Sequence, residues 1–203
     1  MIAIVDYDIG NLGAVANMLN RLGASSTITS DAASIASAER IVLPGNGAFD
    51  ACMRNLRASG LLPTLEHRVL NEGVPLLGIC IGAQMLGHGS EEGQEPGLGW
   101  LDLRVRRFVA RPGLRVPHMG WNAVKVVRTG HPLVKALGDD ARFYFVHSYF
   151  IEPADPRDVL LSADYGGPFA AAIARGNIAG VQFHPEKSHR FGKRLLGAFA
   201  GID

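Results

Sequence analysis

The sequence predicts an α/β fold with a mostly parallel central sheet flanked by helices on both faces, and an antiparallel β extension in the second half. Up to about residue 88, short apolar runs alternate with helical patterns, which is typical of a parallel sheet covered on both sides. From residue 101 onward, strand-like segments follow one another across glycine turns, which indicates antiparallel pairing. With 203 residues and no repeat or linker, we expect a single domain spanning 1–203.

The elements of the first half follow from apolar runs and helical periodicity. Strands are expected at residues 1–5, 25–29, 40–43 and 74–79. Helices are expected at residues 11–22, 31–38, 49–58, 62–71 and 82–88. The first helix carries one apolar face, formed by Val15, Met18, Leu19 and Leu22. Gly23 marks its end, and Asp31 is a candidate N-cap for the second helix.

The second half reads as strands followed by one helix. The strands are expected at residues 101–108, 122–128, 143–150, 159–165, 169–175 and 178–183. Glycine pairs and Gly-Asn mark some of the turns between them. A final helix at 188–200 has Phe191, Leu195 and Phe199 on one face.

Composition and charge exclude several classes of protein. Hydrophobic residues make up 47% and charged residues 19%, as in a globular chain. Lys and Arg number 20 against 19 Asp and Glu, so general attraction to nucleic acid or to an anionic membrane is not expected. Two cysteines cannot build a disulfide framework, and the first residues lack the basic and apolar regions of a signal peptide. We therefore expect a cytoplasmic protein.

Cys80 lies in a pattern typical of a catalytic nucleophile. The segment Gly78-Ile79-Cys80-Ile81-Gly82 follows a buried strand and opens a helix, like a nucleophile elbow with cysteine in place of serine. The glycines allow the sharp turn, and the amide of Ile81 is placed to meet an oxyanion. For Cys52, on a predicted helix, simple packing is the favoured interpretation.

A cysteine nucleophile needs a base, and the base needs a group that orients it. His184 follows an apolar strand, and Glu186 comes two residues later, beyond Pro185. In an extended chain these two side chains lie on one face, so Glu186 is the candidate that holds the imidazole.

These motifs carry a resemblance to a known family. GICIGAQ (78–84) and QFHPEKS (182–188) resemble the class I, or triad-type, glutamine amidotransferases. DYDIGNL (6–12), PGNGAF (44–49), SEEG (90–93), VPHMGWN (116–122) and FYFVHSY (143–149) are most similar to one glutaminase subunit of that family. Such a subunit hydrolyses glutamine at the cysteine and delivers ammonia to a partner cyclase or synthase barrel in a heterodimer. Cys80, His184 and Glu186 match its triad.

The resemblance also implies the residues that hold glutamine. Gln84 and Glu92 match side chains that grip the substrate, with Glu92 toward its ammonium. Ser148 and Tyr149 fall in the segment expected to meet the substrate carboxylate. Gln84 as an exposed helix residue, and Glu92 as one of an ordinary charge cluster, remain open alternatives.

A second oxyanion donor is implied in the loop after the third strand, with the amide of Asn46 favoured and that of Gly47 as the alternative. Asn46 departs from the family, which usually has a small or β-branched apolar residue there. The family's usual leucine and methionine are replaced by Ile81 and Ala83, which are conservative changes.

Two further surface features have alternative interpretations. One is a run of basic residues, for which a solvated strand face is favoured and a docking surface is the alternative. The run consists of Arg104, Arg106, Arg107, Arg111 and Arg115. Trp121 could be core or interface, and the Met-Gly-Trp-Asn match favours the neighbourhood of the site and the partner surface.

The sequence contains no P-loop, no G-x-G-x-x-G cradle and no Cys/His set with metal spacing, so neither a cofactor nor a metal is expected. The ammonia acceptor must therefore bind to another chain. Three other functions stay open: an amidotransferase subunit serving another synthase, for example in nucleotide-sugar amidation; a cysteine hydrolase; and an inactive scaffold subunit.

Overall fold

The computed structural model describes residues 1–10 and 12–202, and two sheets organise them. The large sheet contains ten strands in the order β2-β1-β3-β4-β12-β11-β10-β7, with β9 joined to β11 and β5 joined to β9. Its strands are β1 (Ile2–Val5), β2 (Ser26–Thr29), β3 (Arg40–Gly45), β4 (Leu76–Cys80), β5 (Leu103–Arg107), β7 (Lys125–Val126), β9 (Tyr149–Pro153), β10 (Val159–Asp164), β11 (Pro168–Arg175) and β12 (Ile178–Val181). The small sheet pairs β6 (His118–Ala123) with β8 (Arg142–His147).

The predicted division into a parallel half and an antiparallel half is confirmed. β2, β1, β3, β4 and β12 run parallel to one another, whereas β11 pairs antiparallel with β12, and β10, β7, β9 and β5 continue the antiparallel pairing. Every residue of β1, β4 and β12 is buried. A strand buried at every position is covered on both faces, which explains its continuous apolar sequence.

Seven α-helices occur among the described residues. They are α1 (Leu12–Arg21), α2 (Ala32–Ala36), α3 (Phe49–Ala58), α4 (Leu62–Glu66), α5 (Ile81–Gln84), α6 (Pro132–Lys135) and α7 (His189–Ala200). The expected start of the first helix at Asn11 lies outside the described residues. Asp31 caps α2 as predicted, because its carboxylate accepts a 2.8 Å hydrogen bond from the amide of Ser34.

Several predicted boundaries were wrong where the chain changes partner or conformation. The segment 143–150 is not one strand: it breaks at Ser148, where the chain leaves the small sheet and enters the large one. The segment 62–71 begins as α4 and continues as a π-helical turn, His67–Asn71. The helix expected at 82–88 ends after one turn as α5, and Gly87 packs so closely on Leu103 that a side chain would collide there.

The segment 116–128 departs furthest from the prediction. β6 starts at His118, four residues before the expected strand, and β7 covers only two residues. The inward positions of β6 are His118, Gly120 and Asn122, so the strand lacks the apolar alternation that identifies a half-buried strand. The short helix α6 was also not predicted.

The strand order places the candidate residues at one edge of the parallel sheet. β4 lies between β3 and β12, with Gly45 opposite Cys80 on one side and Val181 opposite Ile79 on the other. Parallel strands end at the same edge, where open α/β sheets bind their ligands. The segments that follow β3, β4 and β12 therefore meet there.

Candidate active site

Cys80 sits at a sharp turn between a strand and a helix. β4 ends at Cys80, whose backbone has a φ of 55° and a ψ of −112°, and α5 begins at Ile81. A positive φ is strained for any residue other than glycine, so the surrounding packing must hold it. A Cβ on Gly82 would collide with the carbonyl oxygen of Leu43, and one on Gly45 would collide with the Gly82 amide. Glycine at both positions lets β3 approach the turn closely.

His184 and Glu186 form the second and third members of the candidate triad. The imidazole and the Cys80 thiol line the same cavity, and the thiol raises the pKa of His184. On its other side, Nδ1 of His184 donates to Oε1 of Glu186 over 2.8 Å. Both side chains are buried, and Oε2 of Glu186 has no hydrogen-bond partner among residues 1–10 and 12–202. The three side chains are therefore arranged as a candidate nucleophile (Cys80), base (His184) and orienting carboxylate (Glu186).

The conformation expected between His184 and Glu186 was wrong. The two residues do not lie on an extended chain, because Pro185–Lys187 form a 3₁₀ turn. The turn brings the carboxylate back to the imidazole. Ser188 fixes its end: Oγ donates to the His184 carbonyl over 2.6 Å and accepts from the amide of Tyr144 over 3.0 Å.

The electrostatics of the triad favour a charged imidazole. Burial is the largest single influence on the pKa of His184 and lowers it, but the hydrogen bonds and charges of Cys80 and Glu186 together raise that pKa to about 10. His184 is therefore an imidazolium at neutral pH. A cation beside a thiol stabilises the thiolate, which is the nucleophilic form of cysteine.

Two backbone amides at the cavity that contains Cys80 are candidate oxyanion donors. Ile81 is the first residue of α5, so its N–H has no acceptor within the helix. In the loop after β3, the carbonyl of Asn46 accepts a 3.3 Å hydrogen bond from the thiol of Cys52, on α3. Because a trans peptide points its N–H opposite to its carbonyl, the Gly47 N–H faces away from Cys52. Asn46 and Gly47 both line the cavity that contains Cys80.

All predicted substrate residues lie around one cavity of about 290 Å³. Its walls include Asn46, Gly47, Cys80, Ile81, Gln84, Glu92, Ser148, Tyr149 and His184. Glu186 stands behind His184. The volume is at the lower end of the roughly 300–1,000 Å³ usual for ligand pockets, so it suits a small metabolite.

Gln84 and Glu92 are held in place by contacts that the sequence did not predict. Gln84 is fully buried, so the alternative of an exposed helix residue was wrong. Its Nε2 donates to the Tyr149 carbonyl over 3.1 Å and to Oε1 of Gln182 over 3.0 Å, while its own Oε1 has no partner among the described residues. Oε2 of Glu92 accepts from the amide of Phe49 over 3.0 Å, at the first turn of α3.

Three buried polar residues near the site were missed at the sequence level. Gln182 places Nε2 3.9 Å from the Cys80 sulfur. His118 and His147 form a hydrogen-bonded pair beside the cavity. The available signal was a polar side chain inside an otherwise apolar strand, as in Val-Gln-Phe and Phe-Val-His.

The basic run and Trp121 are both on the surface. Arg104 is exposed between the buried Leu103 and Val105, which agrees with a solvated strand face. Arg106 pairs with Glu91 and Glu152. Trp121 is 45% exposed and stacks on His189, with ring centroids 5.5 Å apart.

Residues 1–10 and 12–202 contain no group of three or more His, Cys, Asp or Glu side chains arranged to hold a metal ion. None of the helices in this part of the chain has the length and apolar character needed to cross a membrane.

Comparison with known proteins gives a consistent match over the whole chain. Residues 3–200 match the family model described as glutamine amidotransferase class-I. The chain is 50% identical over 202 residues to the imidazole glycerol phosphate synthase subunit HisH 2 of Pseudomonas aeruginosa, covering 100% of both chains. It is 52% identical over 206 residues to the subunit HisH of Bdellovibrio bacteriovorus, again covering 100% of both.

Solved structures share the fold at low sequence identity. A crystal structure described as a glutamine amidotransferase superposes with a TM-score of 0.76 at 21% identity, covering 100% of both chains. The PurLQS structure from Thermotoga maritima superposes with a TM-score of 0.74 at 20% identity, covering 98% of this chain and 97% of that one.

Proposed function

This chain belongs to the class I glutamine amidotransferases, and we propose that it hydrolyses glutamine through a thioester on Cys80. Its activity is that of the glutamine-hydrolysing subunit of an imidazole glycerol phosphate synthase, in histidine biosynthesis. The observation that carries the catalytic assignment is the hydrogen bond of His184 to the Glu186 carboxylate in a cavity that His184 shares with Cys80.

The first half of the reaction forms the thioester. The Cys80 thiolate attacks the side-chain amide carbon of glutamine, and the carbonyl oxygen becomes an oxyanion. The N–H of Ile81 and one N–H of the loop after β3 stabilise that charge. His184 gives its proton to the amide nitrogen, the C–N bond breaks, and ammonia leaves.

The second half restores the enzyme. His184, now neutral, takes a proton from water, which attacks the thioester carbon. Collapse of the second tetrahedral intermediate releases glutamate and regenerates the thiolate–imidazolium pair. Glu186 keeps Nδ1 protonated and stabilises each imidazolium, without itself carrying the proton.

The orientation of the peptide between Asn46 and Gly47 supports Gly47 as the donor from this loop. The Asn46 carbonyl is engaged by Cys52, which does not line the cavity, so this carbonyl is turned away from the reacting atoms. The N–H of Gly47 points the opposite way. The N–H of Asn46 is the alternative donor, and it would require the preceding peptide to face Cys80.

The cavity walls supply complementary groups for a free amino acid. The carboxylate of Glu92 is an acceptor for the α-ammonium of glutamine, and Gln84 lines the same cavity. Backbone amides of Ser148 and Tyr149 are donors for its α-carboxylate. With both ends held, the side-chain amide is presented to Cys80.

We propose that the ammonia passes to a barrel-shaped cyclase subunit in a heterodimer, which makes imidazole glycerol phosphate and aminoimidazole carboxamide ribotide. An exposed apolar surface beside the cavity suits this partner. Met119 and Trp121 lie on the outer face of β6, 62% and 45% exposed, and Pro117 just before them lines the cavity. Exposed large apolar side chains next to an active site are typical of an interaction surface. We also place the complex in the cytoplasm and treat 1–203 as one domain.

The deciding experiment is a glutaminase assay of the purified complex with its barrel partner. We expect glutamate release that depends on the partner and its bound acceptor, together with synthesis of imidazole glycerol phosphate from glutamine. Hydrolysis that is stimulated only by another synthase would instead favour the related subunit serving nucleotide-sugar amidation. No glutamate with any partner would leave the chain as a scaffold.

A further inference from the structure

Two buried histidines beside the cavity take no part in the reaction described above. His118 on β6 and His147 on β8 face each other across the small sheet, and each is under 7% exposed. Nδ1 of His118 lies 2.9 Å from Nε2 of His147. The ring of His118 stacks between Phe145 and Tyr165, at centroid distances of 4.8 and 4.0 Å. The pair is rigidly packed, and the side chain of His147 reaches the site.

The donor and the acceptor can be assigned in each hydrogen bond of this pair. A carbonyl can only accept, so Nδ1 of His147 donates to the Tyr149 carbonyl, 2.7 Å away. Burial lowers the pKa of His118 to about 4 and that of His147 to about 3, so both rings are neutral at pH 7. A neutral His147 then accepts at Nε2, and Nδ1 of His118 must donate. Nε2 of His118 accepts from Nδ2 of Asn122 over 3.3 Å.

The far end of this chain of hydrogen bonds is a substrate-binding group. The Tyr149 carbonyl accepts a hydrogen bond from Nδ1 of His147, and it also accepts one from Nε2 of Gln84 over 3.1 Å. This contact fixes which end of the Gln84 amide is nitrogen, and so holds the side chain in one orientation in the wall of the cavity. The orientation of His147 therefore determines the position of one carbonyl and one amide that surround bound glutamine.

We propose that His118 and His147 are positioning residues for glutamine binding, holding the Tyr149 carbonyl and through it the Gln84 amide. This inference rests on the proposed function. The pair acts on the binding of glutamine and not on the thioester chemistry, because the groups it fixes lie at the amino-acid end of the substrate. Loss of the pair should therefore raise KM and leave kcat nearly unchanged.

Two replacements of His147 separate its hydrogen bond from its bulk. In His147→Asn, Nδ2 lies where Nδ1 of the imidazole was, so the donor to the Tyr149 carbonyl is kept. In His147→Leu, a side chain of similar size has no donor. With the barrel partner and acceptor present, we expect the leucine variant to raise the KM for glutamine about tenfold, with kcat within about threefold. The asparagine variant should recover most of that loss.

His118→Phe tests the same chain from its other end. Phenylalanine keeps the stacking on Phe145 and Tyr165 but removes the donor to His147. His147 is then free to carry its proton on Nε2, which turns a lone pair toward the Tyr149 carbonyl, so KM should rise about threefold. Phe145→Leu is the matched control, because it loosens the same packing without touching any hydrogen bond, and its KM should stay at the wild-type value.

The outcomes distinguish this inference from the proposed function. An unchanged KM in both His118→Phe and in folded His147→Leu overturns the positioning role. A fall in kcat at constant KM overturns it as well, since the pair would then act on the chemical step. If the wild-type complex itself releases no glutamate, the proposed function fails, and the inference fails with it.

Discussion

Replacing Glu186 by glutamine tests how the triad is organised. Oε1 of Glu186 accepts the Nδ1 proton of His184 at 2.8 Å, inside a site where both side chains are buried. The variant keeps the size of the side chain and a carbonyl acceptor but removes the charge. The hydrogen bond to a charged group then becomes one between an imidazolium and a neutral amide.

The expected loss follows from the two kinds of hydrogen bond. A hydrogen bond involving a charged group contributes about 1.5–3 kcal/mol; we place the wild-type bond, in which both groups are charged, near the upper end of this range and the variant bond, in which only the imidazolium is charged, near its lower end. The difference of about 1–2 kcal/mol corresponds to a fall in kcat of about 5–30-fold. His184→Ala removes the proton carrier altogether and should cost about 10²–10⁴-fold. The order of the two effects is the essential result.

The pH dependence of kcat is a second test of the Glu186→Gln variant. The pKa of His184 is raised to about 10, so the imidazolium is present below that pH and is lost as the pH rises through it. We expect the alkaline limb of kcat near pH 10 in the wild type. Without the carboxylate charge the pKa of His184 falls, and the limb of Glu186→Gln should move to lower pH.

The assay is glutamate release at saturating glutamine by the complex with its barrel partner. Asp140→Asn is a matched control, because it removes one carboxylate charge from an exposed ion pair with Arg190. Its kcat and pH profile should match the wild type. If Glu186→Gln loses more activity than His184→Ala, or if its alkaline limb does not move, the roles given to the two residues are wrong.

Three further outcomes are expected. Cys80→Ala should abolish glutamine hydrolysis yet leave synthesis from added ammonium salt intact in the complex; loss of both reactions in an assembled complex would contradict the division of labour. Asn46→Pro removes one candidate oxyanion amide but keeps that of Gly47, so stimulated kcat should stay within about threefold, whereas a loss of 10²–10³-fold would make Asn46 the donor. Unfolded histidine binds a proton near pH 6.5, but His118 and His147 do so in the fold only near 4 and 3, so their stability contribution is complete above pH 6.5 and declines as the pH falls. Between pH 8 and pH 5 the wild type should therefore lose about 2 kcal/mol more stability in urea unfolding than His147→Asn, which has no titratable group at that position.

The parallel half of the fold was predictable from the sequence because its strands are buried on both faces. Such strands are continuous apolar runs, as in β1 and β4, and each is separated from the next by a helical pattern. The half around the small sheet was harder to predict. β6 buries His118 and half-buries Asn122, and their hydrogen-bond partners, His147 and the Asp164 carbonyl, come from other parts of the chain. The hydrophobic periodicity of a segment cannot predict hydrogen-bond partners that lie elsewhere in the chain.

The arrangement of the candidate triad was predictable from local sequence as well. The sharp turn at Cys80 requires glycine at positions 78 and 82, so the five residues from Gly78 to Gly82 are enough to predict it. The contact between His184 and Glu186 was also predicted, although through the wrong backbone conformation. The hydrogen bonds of Gln84 to Gln182 and Tyr149 could not be predicted, because they join residues more than 60 positions apart.

Capture of the acyl intermediate tests the central claim most directly. The complex is mixed with glutamine, quenched in acid after a few turnovers, and digested for mass spectrometry. A thioester mechanism predicts a glutamyl adduct on the peptide that contains Cys80, no adduct on the peptide that contains Cys52, and neither adduct nor glutamate in Cys80→Ala. Glutamate release that continues in Cys80→Ala, or an adduct found mainly on Cys52, would contradict the account.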